Sequence, residues 1–406
     1  MTDGDKFGTR NNHFVPQFIQ KWFGNNINVF NIPCQQYYPD RNPRSVFAEM
    51  GIYPDELETK FNEKMESHIS GFLAQKILSR EDKIEMSLRN LLNLKRFFIL
   101  AMMRVPEGME MANGIKVAYP IQRRLFDPQS RYASEMDSEE SSADYWLRTL
   151  NVLLDVKELT SENVYNHPDS TYLAYYWTTI FLSGCFAFWD APPGYEFVLT
   201  DAGMVSEVET RSGLEWEQRK FLTLRAWHSF YRDSMGDGPM KETKLRSINQ
   251  MAFWQAGFHE NFYMFPVSSK GMIVLYNPFF KEYRAISHSI PVPPLCYFTG
   301  LTDIGVYAEN KSNRIIGDEK PRLPTDKYTY HPVVLTPEEI RYCNGLLMDR
   351  TRKWLGFGSM GGVYESILEY GKDHRPRVDY TGLYEIARQY KTEHESDKSD
   401  ELKQND

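Results

Sequence analysis

Cysteine is scarce in this chain, and no two cysteines form a CxxC pair. The four cysteines are Cys34, Cys185, Cys296 and Cys343, which lie far apart. This spacing argues against a zinc knuckle and against a disulfide scaffold. Few, scattered cysteines are typical of a reducing compartment. We therefore expect a cytoplasmic protein.

The chain also lacks an excess of positive charge. It has 47 Lys and Arg against 55 Asp and Glu, which gives a formal net charge of −8. Such a balance argues against an extended nucleic-acid surface, because phosphate backbones are bound by clustered Lys and Arg. A small basic pocket remains compatible with this charge.

Long uncharged runs are rare, and only residues 170–189 approach the length of a membrane span. This run is rich in Tyr, Thr and Ser, and Asp169 and Asp190 flank it with no Lys or Arg nearby. These features favour a buried helix in a soluble protein over a membrane segment. Residues 1–12 are polar and lack the apolar segment of a signal peptide. We therefore expect no membrane partner.

Aromatic side chains are abundant, at 14% of the 406 residues. They bury large areas, so a chain of this length can fill a sizeable core. Length alone allows two or three domains, or one large domain.

Most of the secondary structure is predicted from the spacing of apolar side chains. Helices are predicted at 17–23, 61–77, 86–105, 144–157, 171–188, 214–259 and 336–354. Strands are predicted at 27–32, 195–200, 262–267 and 272–276, and the last two form a hairpin. Thr336 and Glu339 have the spacing of a capping box. These elements predict an α+β fold, predominantly helical with a small antiparallel β-sheet.

The strand-like runs are scattered among helices in both halves, which predicts one composite domain over residues 10–385. Residues 1–9 are expected to be a flexible N-terminus, and residues 204–260 a helical insertion. Residues 386–406 are expected to be a disordered charged tail, because they carry too few apolar side chains to offset the entropy of ordering. The Gly-rich segment 356–362 lacks the Lys-Ser/Thr of a phosphate-binding loop and is interpreted as a flexible loop.

The N-terminal motif resembles that of the family called domain of unknown function 4238. The motif is His13-Phe14-Val15-Pro16-Gln17-Phe18, followed by Phe23 and a strand ending near Ile32. Further features follow in the order of that family: Glu66, Arg104-Val105-Pro106, Trp177, Leu199-Thr200-Asp201, Phe265-Pro266-Val267-Ser268 and Asn344. The resemblance covers most of residues 11–357. One departure is Asp201-Ala202-Gly203, where the family has Asp-Asn-Pro. The family implies no activity, so chemistry has to be argued from the residues.

Four of these positions are candidates for either a catalytic or binding role or a structural role. His13 can act as a general base or metal ligand, or it can fix the N-terminal segment by packing. Glu66 lies at the edge of an apolar helical stripe and needs a partner, for which Arg104 is the natural choice. This pair is either a structural ion pair or the polar floor of a ligand pocket. Asp201, at the end of a strand, is either a presented catalytic group or a turn residue.

Two functions remain open from the sequence. In the first, the chain is a hydrolase for a phosphoester or nucleic-acid-type substrate, with His13, Glu66 and Asp201 as catalytic residues that converge beside Arg104. Its substrate would be held by Arg104, Asn344 and Gln17, and a divalent metal could activate water. In the second, the chain is a non-catalytic ligand-binding or protein-interaction module. The same residues then form a structural polar network, and abundant Tyr and Trp favour a protein partner.

Overall fold

The computed structural model describes residues 11–75, 83–106, 108–110, 112–113, 132, 139–207, 262–276, 307–308, 327–372 and 378–404. It confirms the α+β class with small antiparallel sheets. The N-terminal residues 1–9 lie outside the described part, and so does the predicted helical insertion except for its first residues, 204–207.

Ten α-helices are described. They are α1 (Gln17–Lys21), α2 (Asp55–Phe61), α3 (Ser67–Leu73), α4 (Leu88–Met103), α5 (Ser142–Asp155), α6 (Ser161–Asn166), α7 (Tyr172–Ser183), α8 (Pro337–Asp349), α9 (Met360–Tyr370) and α10 (Thr381–Gln404). A π-helical segment, Asn62–Glu66, joins α2 to α3. The predicted capping box is confirmed at the start of α8, where the Thr336 hydroxyl accepts from the backbone of Glu339.

Fourteen strands are described. They are β1 (Asn11–His13), β2 (Ile27–Asn31), β3 (Gln36–Arg41), β4 (Ala48–Met50), β5 (Ile84–Ser87), β6 (Cys185–Asp190), β7 (Leu199–Thr200), β8 (Val205–Glu207), β9 (Phe262–Pro266), β10 (Gly271–Tyr276), β11 (Tyr307–Ala308), β12 (Lys327–Tyr330), β13 (Val333–Val334) and β14 (Trp354–Phe357). The central sheet has the order β13-β6-β10-β9-β8 and is antiparallel except for the parallel pair β13–β6. The predicted hairpin is confirmed as β9–β10. Smaller sheets have the orders β3-β2-β14-β7, β11-β12-β5 and β1-β4.

The two faces of the central sheet pack into two different cores. On β10, Ile273 and Leu275 belong to a core with side chains of α4, α5 and α7. Met272 and Val274, which point the other way, belong to a core with side chains of α8, α9 and α10. Alternate residues of a strand face opposite sides of a sheet, so the central sheet is covered by helices on both faces.

The predicted helix over 171–188 is wrong over its last five residues. The helix ends at Ser183, and the chain continues as strand β6 between β10 and β13. Gly184 lies at the change, where a Cβ atom would be 2.9 Å from Leu275 Cδ1. A continuous apolar run suits a doubly covered strand as well as a buried helix, so periodicity cannot separate them. No helix in the described ranges is long and apolar enough to cross a membrane.

The flexible-loop interpretation of 356–362 is also wrong. Residues 354–357 form β14, and Ser359 is the N-cap of α9. The tight turn between them is held by Glu196, whose Oε2 accepts from the Ser359 backbone N–H at 2.8 Å. The close approach of Glu196 to Gly362 explains why no larger residue fits there.

Two other predicted segments differ from the structure. Within 195–200 only Leu199–Thr200 is a strand. Residues 386–404, expected as part of a disordered tail, continue α10 as far as Gln404. The first turns of this helix are anchored by Leu383 and Ala387, which are buried, and by the Tyr390 ring against Tyr364. Packing of one end thus stabilises a helix that its composition alone would not.

Candidate functional site

A buried arginine lies at the end of α4. Arg104 is 2% exposed, and its Nη1 donates to a carboxylate oxygen of Glu66. Its Nη2 donates to the Tyr53 hydroxyl at 3.1 Å and lies 3.8 Å from Glu58 Oε2. The guanidinium also lies over the Phe61 ring, 4.5 Å from its centroid. The predicted ion pair of Glu66 and Arg104 is therefore confirmed.

The two acidic partners come from one continuous helical segment. Glu58 lies in α2, and Glu66 ends the π-helical segment that joins α2 to α3. Phe61 and Met65 between them are buried, so the carboxylates lie along the edge of the packed face. The side chains of Glu58 and Glu66 are 16% and 14% exposed. A position at the edge of an apolar helical face predicts Glu66 from the sequence, and the same criterion applies to Glu58. Tyr53, in the turn before α2, gave no such signal.

The charges of this cluster compensate one another. Burial lowers the pKa of Arg104, but Tyr53, Glu66 and Glu58 together outweigh this and hold it above its ordinary value. Burial raises the pKa of Tyr53, so its phenol stays neutral and serves as a hydrogen-bonding partner. One guanidinium between two carboxylates gives the cluster a formal charge of −1.

His13 lies next to this cluster on strand β1. It is 7% exposed, and burial lowers the pKa of its imidazole, which therefore stays neutral at neutral pH. Arg104 lowers this pKa further and Glu66 raises it. The Tyr53 hydroxyl, which contacts Arg104, lies 3.4 Å from the backbone oxygen of His13.

The hydrogen bonds of the His13 ring go elsewhere. Gln17 Nε2 lies 3.3 Å from each ring nitrogen. Backbone groups of Arg44 and Pro43 raise the pKa of the ring, against the larger effect of burial. Gln17, predicted as a substrate-binding residue, thus serves to orient His13.

Asp201 is engaged by a turn and not by the cluster. Its Oδ1 accepts from the Arg352 N–H at 2.9 Å, and its Oδ2 accepts from the N–H groups of Lys353 and Trp354 at 2.6 and 2.9 Å. Burial raises the pKa of Asp201, against three backbone N–H groups that favour the carboxylate. The structure places Asp201 where it connects the end of β7 to the start of β14, and none of these contacts involves His13 or Glu66.

Asn344 is a core residue of α8 with 0% exposure. Its Nδ2 donates to the Glu196 backbone oxygen at 2.9 Å and to Ser366 Oγ at 3.0 Å, while its Oδ1 accepts from the Val198 N–H at 3.0 Å. These bonds use both donors and the acceptor of the amide. Asn344 therefore fastens the segment before β7 to α8 and α9, and it presents no surface to a substrate.

The divalent metal considered from the sequence would need His13, Glu66 and Asp201 together. Over the residues that the structure describes, no group of three His, Cys, Asp or Glu side chains is arranged to hold a metal ion. The structure brings together His13, Gln17, Glu66 and Arg104, with Tyr53 and Glu58 as further members. It assigns Asp201 and Asn344 to other contacts.

One comparison with known proteins gives a match. A family model described as "Protein of unknown function (DUF4238)" matches residues 11–359. No curated protein and no solved structure matches significantly.

Proposed function

The chain belongs to this DUF4238 family of unknown function, and we propose that it is a non-catalytic ligand-binding or protein-interaction module. In this proposal His13, Glu66 and Arg104 form an internal polar network together with Tyr53 and Glu58. The observation that carries it is the compensation of Arg104 by the protein's own groups. The Arg104 guanidinium already lies between two carboxylates, so the cluster has no net positive charge with which to neutralise a phosphate.

The network connects parts of the chain that are distant in sequence. Arg104 ends α4, Glu58 and Glu66 lie in the α2–α3 segment, and Tyr53 lies before it. Through Tyr53 the same network reaches the backbone of His13 on β1. A buried network of this kind favours one arrangement of these elements, because any other would separate Arg104 from its carboxylates.

A hydrolase acting on a phosphoester or nucleic-acid-type substrate is the second candidate. It is favoured by the neutral imidazole of His13 beside Glu66, because a neutral imidazole can accept a proton at neutral pH. In this candidate His13 is the general base and Glu66 its carboxylate partner, while Asp201 and Asn344 support the scaffold. A phosphoester would still meet a cluster of formal charge −1, which opposes its binding.

Hydrolysis assays on matched histidine variants separate the two functions. The substrates are p-nitrophenyl phosphate and bis(p-nitrophenyl) phosphate, each with and without Mg²⁺ or Mn²⁺. The control is His394→Gln, because His394 is exposed and its ring nitrogen contacts only its own helix. The binding-module proposal predicts equal, background rates for wild type, His13→Gln and His394→Gln. Turnover by wild type and His394→Gln that His13→Gln loses, at an unchanged unfolding midpoint, would establish the hydrolase instead.

A further inference from the structure

A second buried arginine on α4 differs from Arg104 in its contacts. Arg96 is 6% exposed, and its Nε and Nη2 atoms are buried without a hydrogen-bond acceptor in the described part of the chain. The neighbouring Lys95 is also buried, but its Nζ donates to the backbone oxygens of Leu182 and Gly184 at 3.0 and 2.7 Å. Arg96 is therefore the member of this pair with two buried nitrogens, Nε and Nη2, that lack an acceptor in the described part of the chain.

Such a charge is costly for a folded protein. Burying an ionised guanidinium removes its hydration, and only an opposite charge or hydrogen bonds can replace it. Burial lowers the pKa of Arg96 to about 10, and Glu158 acts in the opposite direction. Arg96 thus remains protonated at neutral pH. Glu158 is near enough to influence it but does not lie within ion-pair distance, since no salt bridge joins the two residues.

The two unsatisfied nitrogens form one edge of the guanidinium. Nε–H and Nη2–H point in the same direction and match the two oxygens of a carboxylate or phosphate. The protein itself shows this geometry at Arg148, whose Nε and Nη2 donate to the two carboxylate oxygens of Glu140 at 2.9 and 2.7 Å. The same edge of Arg96 is enclosed by the protein and has no such partner within the described ranges.

We propose that Arg96 is the anchor of a binding site for a small oxyanion, a phosphate or a carboxylate, held through its Nε–Nη2 edge. The bound oxygens replace the lost hydration of the guanidinium. Glu158 is the nearby carboxylate that opposes the anion and sets its affinity. The site is separate from the Arg104 network, and the proposal does not depend on the role of that network.

The test is a titration of the full chain with inorganic phosphate and with acetate, at ionic strength held constant with chloride. Isothermal titration calorimetry and the thermal unfolding midpoint are the two readouts, because a ligand that binds only the folded state raises the midpoint. Wild type should bind one of the two anions, and the stronger of the two identifies the class. Arg96→Lys keeps the charge but loses the paired N–H edge, so its affinity should fall about tenfold or more.

Three further variants extend the test. Arg148→Lys is the matched control, because the edge of Arg148 is already occupied by Glu140, and its anion affinity should equal that of wild type. Glu158→Gln removes the opposing charge and should tighten binding. Arg96→Leu removes an unpaired buried charge, so it should fold at least as stably as wild type and show no midpoint shift.

Three results would overturn the proposal. The first is a midpoint and a heat signal that respond to neither anion. The second is equal binding by wild type and Arg96→Lys, which would indicate an adventitious ion only. The third is loss of stability in Glu158→Gln without any anion effect, which would show that Glu158 itself closes onto Arg96.

Discussion

Two arginines on one helix show how the surroundings of a side chain decide what it can do. Arg104 and Arg96 are both almost fully buried on or at the end of α4. Arg104 is held by Tyr53, Glu58 and Glu66, which raises its pKa, whereas burial without such partners lowers the pKa of Arg96. The first is therefore suited to hold the fold together, and the second to hold an anion.

At the same scale, His13 should make stability depend on pH. Its folded-state pKa is lowered below the ordinary value near 6.5, so the unfolded chain binds a proton more readily than the folded protein. The contribution of His13 is present above its unfolded pKa and is lost as the pH falls through the folded one. We expect the free energy of unfolding, measured by urea denaturation from pH 8 to pH 5, to fall more steeply in wild type than in His13→Gln. Equal pH profiles would show that the ring is not buried neutral.

The pairing of single residues was predictable where the sequence shows a charge on an apolar face, because burying an unpaired charge costs free energy. Glu66 and Arg104 lie on apolar helical faces, so an ion pair between them offsets the free-energy cost of burying both charges. The positions of Asp201 and Asn344 were not predictable, because a polar residue near a strand end or on a helix can satisfy either the backbone or a ligand. Their partners, Lys353 and Val198 among them, are distant in sequence and are brought close only by the tertiary fold.

Elements were predictable where periodicity and capping agreed and failed where a run was apolar throughout. The β9–β10 hairpin and the cap of α8 followed from local signals. The change from α7 to β6 could not be predicted, because both elements are buried on more than one side. Their sequences are therefore largely apolar and show no period that would tell helix from strand. The Gly-rich turn before α9 was misread because its order comes from Glu196, which is remote in the sequence.

The turn between α8 and β14 depends on Asp201. Asp201→Asn replaces one of the two accepting oxygens by a donor, which then faces a backbone N–H group of the turn. We expect a loss of about 1–3 kcal/mol in the free energy of unfolding, from denaturant titration. The control is Asp379→Asn, at an exposed position where Oδ1 accepts from the Thr381 N–H at a helix start. Asn serves there nearly as well as Asp, so little change is expected. Equal, negligible losses in both variants would contradict the role given to Asp201.

At the scale of the described part of the molecule, the central sheet packs against one layer of helices on each of its two faces. Strands β6, β9 and β10 contribute alternate side chains to both cores, so neither layer can be removed without exposing the sheet. On this ground we propose that residues 10–385 form one composite domain. The sequence indicated this only indirectly, through strands scattered over both halves. The layering itself arises from pairings in the central sheet between strands as distant as β6 and β13.

Limited proteolysis tests this organisation. Cleavage between residues 130 and 145 should leave two fragments that stay associated under native conditions and unfold together, because the layers share one sheet. Size-exclusion chromatography and circular dichroism of the cleaved protein report both properties. Two fragments that separate and remain folded would show two independent domains.

The central claim is that the polar cluster around Arg104 is a structural network, and a double-mutant cycle of Arg104→Ala and Glu66→Ala tests it most directly. Urea denaturation of the four proteins gives the free energies of unfolding. Arg104→Ala should cost about 3–5 kcal/mol, because it removes the buried cation with which the largely buried Glu66 carboxylate pairs. The double variant should cost less than the sum of the single variants by about 1–3 kcal/mol. The exposed Arg388→Ala, whose Glu385 partner is equally exposed, should change stability by no more than about 0.5 kcal/mol. Additivity within about 0.5 kcal/mol, or an Arg104→Ala variant as stable as wild type, would contradict the account.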